Sequence, residues 1–331
     1  MADIARRAGC HKSTVSLALK KHPALSQATG DRIRALAKEM GYIPDASLSL
    51  IASHRWNTSA PRGHTGVVIG LLVNRGRPSA NLDRIYPAAA AAAASHGFMT
   101  ERIHLDDYRN AKAATRVLYN RGIRGLLLPP FWPEEDMAAL DWSVFTPVCC
   151  GFGWRSLPAH TVTFDWFRAT QLAWRKVAER GYRRIGAAVF CHRPPAEDDF
   201  FRIGASQAEQ ALLLPPSSHV PVLTCEHYDK AAFLKWLDQH RPDAVIGFSD
   251  GPYYWARDAG HRIPEQLGYA SLNVTSPLLT GMPHPLEDVG AAAAEYLITL
   301  LHGNELGLPA HPRTLLVEPT WNVGPSLPDR R

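Results

Sequence analysis

The chain is short of the features that would place it in most functional classes. Its five cysteines are an odd number among 331 residues. Cys149 and Cys150 are adjacent within an apolar stretch, and neither Cys191-His192 nor Cys225-Glu226-His227 recurs at the spacing of a metal site. Reduced, buried thiols are therefore expected, with no zinc site and no disulfide framework. Long apolar runs are missing too. Nothing approaches the roughly 20 residues of a membrane span, and the blandest stretch, Ala88 to Ala94, reads as a close-packed helix face. No basic segment followed by an apolar one opens the chain, which points to the cytoplasm rather than to export. Catalytic signatures are also absent: there is no G-x-S-x-G elbow, no G-x-x-x-x-G-K phosphate loop and no H-E-x-x-H helix. An enzyme is not expected, and neither is a cofactor, a metal or a catalytic residue.

What is present is a sharply uneven charge. Residues 1–64 carry ten Lys/Arg against four Asp/Glu, an excess of six cations, while the excess over the whole chain is only five. Residues 65–331 are therefore net negative by one, and the first fifth of the chain is where a polyanion would be met. Three short helices are predicted there. Asp3 to Ala8 turns Ile4, Ala5 and Ala8 to one side, and Gly9 ends it. Ser13 to Leu19 places Val15, Ala18 and Leu19 inward while Lys12, Ser13, Ser16 and Leu17 stay outside. The third, from about Thr29 to Met40, buries Ile33, Leu36, Ala37 and Met40, with Gly41 as its stop. A second helix that opens on a lysine and hydroxyls suits a DNA groove better than a protein core. Another short helical pattern, Ala46 to about Trp56, holds Leu48, Leu50 and Ile51 with no evident core to join, and Asn57 to Gly66 is a Pro/Gly-rich linker.

From Val67 the texture changes. Apolar, β-branched runs at 67–73, 98–105, 125–129, 147–152, 160–165, 184–190, 221–225, 243–249 and 267–273 alternate with helical stretches at about 83–96, 108–121, 166–180, 200–213, 229–239 and 287–302. Such runs describe parallel strands covered on both faces. They are too many for one sheet, so two α/β lobes are expected, with crossings near 155–165 and 280–290. Ligands bind at the carboxyl ends of strands in such sheets, and two facing lobes form a cleft.

The pattern resembles the lactose-repressor (LacI/GalR) family of bacterial transcription regulators. The resemblance rests on D-I-A-x-x-A-G at 3–9, S-T-V-S at 13–16, a third helix ending E-x-G-Y, and Tyr42-Ile43-Pro44. Asp165, GYRRIG at 181–186, PDAVIGFSD at 242–250, Ile263-Pro264-Glu265 and PLEDVGAAAAEYL at 285–297 follow in the family's order. It implies a helix-turn-helix domain over 1–44, a hinge helix and linker over 45–66, and a two-lobed periplasmic-binding-protein-like effector and dimerisation domain over 67–331. It further implies Lys12 and Ser13 at base edges, Thr14 and Ser16 on phosphates, and Leu17 and Tyr42 within the DNA-binding surface. Ile51, with Leu48 and Leu50 as neighbours, aligns with the apolar wedge of the minor groove, although these residues also suit packing on the sensor or a second subunit. An effector cleft of Asn74, Trp132, Phe152, Trp166, Arg202, Asp250 and Asn273 is implied. Trp132 and Trp166 read equally as core, and Asp250 equally as a helix cap.

The chain also departs from the family. His11 stands where Ser is usual, so hydroxyl capping is lost, and Leu17 replaces a frequent base-reading Arg. Lys20 and Asp45 occupy positions where Asn is common, and the chain opens almost on its first helix. The Arg-x-x-Gly-Phe signature is displaced: Arg202 lies one position off, or Phe201 has replaced the cation. Leu272-Asn273 stands for an acidic pair. The remaining histidines, His192 and His227 among them, read as solvated. The leading expectation is a homodimeric, sequence-specific transcriptional regulator, a repressor, that binds double-stranded operator DNA under control of a sugar or sugar derivative. The alternative is a sugar-binding protein without regulatory DNA binding.

Overall fold

The computed structural model describes residues 2–19, 25–40, 67–73, 80–130, 140–152, 157–192, 195–226 and 229–331. The expected segment 46–56, with Leu48, Leu50 and Ile51, and residues Tyr42, Asn74, Trp132 and His227 lie outside them, as does the Ser16 side chain. The head is three helices: α1 (Ala2–Ala8), α2 (Lys12–Leu19) and α3 (Gln27–Glu39). Gly9 makes the turn between the first two at φ +64°, a left-handed conformation that glycine adopts without a Cβ penalty. Ile4, Ala5, Ala8, Val15, Ala18, Ile33 and Ala37 form the small core, with Leu19, Leu36 and Met40 packed on it. The 3.6-residue spacing placed all of these inward.

The body holds two all-parallel sheets. The first runs in the order β11-β5-β4-β3-β1-β2, from β1 (Val68–Val73), β2 (Met99–His104), β3 (Gly125–Leu128), β4 (Thr146–Cys150), β5 (His160–Phe164) and β11 (Thr314–Val317). The second runs β10-β9-β8-β6-β7, from β6 (Ile185–Cys191), β7 (Leu223–Glu226), β8 (Ala244–Gly247), β9 (Gly268–Val274) and β10 (Thr280–Pro283). Each is sandwiched between helices. On the first sheet Leu71 joins the core under α4 (Leu82–Ser95) and α10 (Leu286–His302), while its neighbour Leu72 faces α5 (Ala111–Asn120). On the second, Ile246 packs toward α6 (Trp166–Glu179), and Val245 toward α8 (Lys230–His240) and α9 (Gly251–Asp258). Adjacent residues that bury on opposite faces explain why these strands lack polar alternation.

The polyalanine stretch does provide a close-packed face. Ala89 and Ala93 of α4 are wholly buried, and α10 comes so near that a Cβ on Gly290 would sit 2.2 Å from the Ile85 carbonyl oxygen. Arg84 and Glu287 clamp the same two helices with a two-pronged ion pair at 2.7 and 2.6 Å.

Two crossings between lobes fall where expected, at Phe164–Trp166 and Pro283–Leu286. A third was not expected. After β11 pairs with β5, the chain returns to the second lobe, where Asn322 bridges Gly281 and the Ser326 carbonyl accepts from the Tyr269 N–H.

Candidate functional site

The head's outward surface begins at α2. Lys12 and Ser13 are exposed, Thr14 and Leu17 are half-buried, and Val15 between them is wholly buried. Hydroxyl capping is lost at His11, but capping is not. The Ser13 backbone N–H donates to the His11 Nδ1 at 3.4 Å, and the Ser13 Oγ lies 2.8 Å from the same nitrogen. Several cations of the head serve its own framework. Arg34 donates to the Ala18 carbonyl at 2.7 Å and pairs with Asp31, Arg32 donates to the Ala8 carbonyl at 3.3 Å, and Arg7 pairs with Glu39. Carbonyls near helix C-termini carry partial negative charge, which these guanidinium groups offset. α2 itself has no acid in its first turn.

The second candidate site lies between the lobes, at the carboxyl ends of the strands. Phe152 follows β4, Trp166 follows β5, His192 follows β6, Phe248 follows β8 and His284 follows β10. Phe152 of the first lobe meets Phe201 of α7 (Glu197–Leu213) edge-on, with ring centroids 5.4 Å apart. Trp166 lies 5.7 Å from Phe248 and 5.0 Å from His284, and Phe164 closes the group at 4.9 Å from Trp166. Asp165 holds Trp166 in place by capping α6, accepting from the Arg168 N–H at 2.9 Å.

Arg202 is fully buried beneath these rings, its Cζ 4.1 Å from the Phe248 centroid and 4.8 Å from that of Trp166. Its two terminal nitrogens donate to Asp198 at 2.8 Å and Asp199 at 2.5 Å. Asp199 also accepts from the His192 ring and from the backbone N–H groups of His192 and Ala196. Burial pushes the Asp199 carboxyl up, but these hydrogen bonds and the Arg202 charge outweigh it and hold the group below the usual carboxylate range. The bond to Asp199 raises the His192 imidazole. His284 goes the other way: burial pushes it down to about 4, helped by Arg84 and Arg202. The Arg202 Nε and one Asp198 oxygen are buried without a partner among the described residues. His192, Asp198 and Asp199 bring donor atoms within 4.8 Å of one another, as a metal site would. The Arg202 guanidinium bonded to both carboxylates already supplies their positive partner, so a cation does not fit there.

Of the cleft residues expected from sequence, the structure gathers Phe152, Trp166 and Arg202 into one aromatic and ionic cluster. The displaced signature resolves into two roles: Phe201 faces the opposite lobe, and Arg202, one position later on the helix, turns inward. Asp250 supplies no cap hydrogen bond to α9. Both its oxygens are taken, by the Ser271 hydroxyl at 3.0 Å and by the Thr275 N–H and hydroxyl at 3.0 and 2.6 Å. The half-buried Asn273 donates its backbone N–H to the Ser271 Oγ. His192 is a correction. It reads as solvated in the sequence but is half-buried and bonded to Asp199. His284 is a second correction: it reads as solvated with the other histidines but packs against Phe164 and Trp166, and Phe248 was not among the expected residues. Both directly follow strands, so a uniform inspection of residues one past each strand finds them.

Residues 1–45 match the model of bacterial regulatory proteins of the lacI family, and residues 175–327 match that of a periplasmic binding protein-like domain. Catabolite control protein A of Staphylococcus epidermidis is 24% identical over 321 residues, covering 93% of this chain and 94% of that protein. A transcriptional regulator CelR–cellobiose complex superposes with a TM-score of 0.58 at 20% identity, covering 98% of both chains. The lac repressor dimer bound to operator and the anti-inducer ONPF gives 0.57 at 15% identity, again over 98% of each. No described helix is long and apolar enough to cross a membrane. The chain thus joins a head that matches the lacI family of bacterial regulatory proteins to a periplasmic binding protein-like body, and over nearly its whole length it is similar to regulators built the same way.

Proposed function

We propose that this chain is a cytoplasmic, homodimeric repressor that reads an operator with the start of α2 and adjusts its grip when a small molecule closes the cleft. The observation that carries the reading is the exposed Lys12-Ser13 pair at the head of a buried-core helix, within the one strongly cationic part of the chain. In this reading Lys12 and Ser13 contact base edges, and Thr14 and Ser16 contact phosphates. Leu17, Tyr42, Leu48 and Ile51 complete the DNA surface. A dimer is needed because two half-sites spaced by about one helical turn give specificity that one head lacks.

The cleft's aromatic walls suit the apolar face of a sugar ring, and the CelR structure of similar fold holds cellobiose. A sugar or sugar derivative is accordingly the proposed effector, with Asn74, Trp132, Phe152, Trp166, Arg202, Asp250 and Asn273 around it. The ligand acts only to the extent that it prefers one lobe geometry. Its polar anchors differ from those the family resemblance implies, because Asp250 and Arg202 already have partners within the protein.

The test is a binding isotherm of the full chain on duplex DNA from the region upstream of its own gene, taken across salt. Each phosphate contact lowers the log–log slope by roughly 0.9, so a dimer gripping several phosphates loses affinity steeply. A flat salt response overturns the reading. Lys12→Ala and Ser13→Ala are expected to weaken binding to this DNA far more than to random duplex, and a thermal-shift panel of sugars identifies the effector.

A further inference from the structure

Gly30 is buried inside α3, where glycine is disfavoured relative to alanine because it has more backbone freedom to lose. Its neighbour one turn on accounts for it. Side chains on a helix lean toward its N-terminus, so residue 34 covers residue 30. A Cβ added to Gly30 would stand 2.9 Å from one terminal nitrogen of Arg34 and 3.4 Å from the Arg34 Cζ. The missing methyl group is the seat of the Arg34 guanidinium. From that seat the same nitrogen crosses to α2 and donates to the Ala18 carbonyl at 2.7 Å. The other terminal nitrogen donates to Asp31 at 2.6 Å. Ala18 lies in the last turn of α2, where carbonyls have no partner within their own helix. A hydrogen bond to it from a charged donor is short and directional.

We propose that Arg34, seated over Gly30, is a positioning residue that fixes the angle at which α2 presents Lys12 and Ser13 to base edges. Apolar packing alone sets that angle loosely. Four of the seven buried residues of the head's core, Ala5, Ala8, Ala18 and Ala37, are alanines, which raise only shallow ridges for a facing helix to grip. Burial of apolar surface is also non-directional. Val15 seats the first half of α2 in this core, and the bond from Arg34 ties its last turn to α3. Arg34 is poorly placed to hold a phosphate itself, since both terminal nitrogens already donate within the head and its side chain is only 29% exposed. Freeing the guanidinium without removing its charge therefore costs sequence reading and leaves the electrostatic grip on DNA intact. The inference rests on the proposed role of Lys12 and Ser13 at base edges.

The test measures the affinity of the full chain, across salt, for a duplex that the wild type selects from a random pool and for a scrambled duplex. It compares the wild type with Gly30→Ala, Arg34→Ala and the double variant. Gly30→Ala keeps every charge, improves helix propensity and pushes the guanidinium off the Ala18 carbonyl. Its preference for the selected duplex is expected to fall about tenfold, within the worth of one well-placed base contact. Its affinity for the scrambled duplex, and the salt slope there, are expected to hold. Arg34→Ala should lose the same preference, and the double variant no more than either, because without the guanidinium nothing fills the space a Cβ enters. Losses that add overturn the inference. So does an Arg34→Ala variant that weakens equally on both duplexes with a salt slope lower by roughly 0.9, which is the mark of a phosphate contact. If Gly30→Ala loses the scrambled duplex as well, as an unfolded head would, Arg34→Ala alone decides by the same two readouts. A wild type that selects no sequence overturns the regulator reading, and this inference falls with it. A wild-type preference that both substitutions leave intact sinks this inference alone.

Discussion

Phe152 and Phe201 belong to opposite lobes, yet their rings meet edge-to-face with centroids 5.4 Å apart. The family resemblance leads one to expect a cation at position 201, reaching into the cleft. Here an apolar ring fills the gap and touches the facing lobe directly. An edge-to-face pair contributes about 0.5–1.5 kcal/mol beyond its area burial, which under the proposed effector-driven closure would bias the lobes toward the arrangement in which they meet. Phe201→Ala is therefore expected to open the free protein. Small-angle scattering should record a larger radius of gyration for the variant, and an unchanged radius would remove Phe201 from the closure mechanism.

Arg202 is held in a different way, and its dependence on Asp199 is the stronger prediction. Both side chains are fully buried, and neutralising Asp199 leaves the Arg202 guanidinium with Asp198 as its remaining carboxylate partner and weakens a charge-assisted hydrogen bond in the interior. Asp199→Asn is expected to cost about 1.5–3 kcal/mol, the worth of a hydrogen bond to a charged group, and to lower the melting temperature by several degrees. The exposed pair between Asp329 and Arg331 is the control. Solvent and salt screen it, so Asp329→Asn leaves the melting temperature where it was. Equal effects of the two substitutions would show that the Arg202 network does not hold α7.

The head was legible in the sequence almost residue by residue, because seven small and branched residues recur at helical spacing around one core. The parallel strands were legible for the opposite reason: burial on both faces leaves them uniformly apolar. What escaped notice lacks either signal. α9 was hinted at only by the reading of Asp250 as a cap: it opens on Gly251-Pro252, which also suits a turn, although proline at the start of a helix is compatible with one because no N–H is needed there. β10 has four residues and includes Gly281 and Pro283. β11 also has four, with Leu315 and Leu316 both exposed, so no burial pattern marks it. The third crossing was lost with it. In the cleft, strand-end positions were readable, but the inward turn of Arg202 depends on how α7 is rotated against its sheet, which local sequence does not encode. The partners of Asp250 were hidden for the same reason, since Ser271 and Thr275 come from a strand and loop about 20 residues downstream.

His284 gives the molecule a sensitivity to mild acid. Its ring packs against Phe164 and Trp166 at 5.7 and 5.0 Å, and burial holds its pKa near 4, against 6.5 for the unperturbed group. The folded state thus keeps this imidazole neutral between those values, while the unfolded chain binds a proton there. Stability must fall as pH drops through that window, because the unfolded state takes up more protons. His192 titrates with the opposite sign. Raised by Asp199, it contributes stability that is present at low pH and lost as pH climbs through its folded value. Asp199, held low, contributes until pH falls to its folded value. His284→Phe keeps the ring contacts and removes the titration. Melting temperatures measured from about pH 7 down to about pH 4.5 should therefore fall less for His284→Phe than for the wild type, since every other titrating group is common to both proteins. Parallel curves would mean that the buried ring is not what acid attacks.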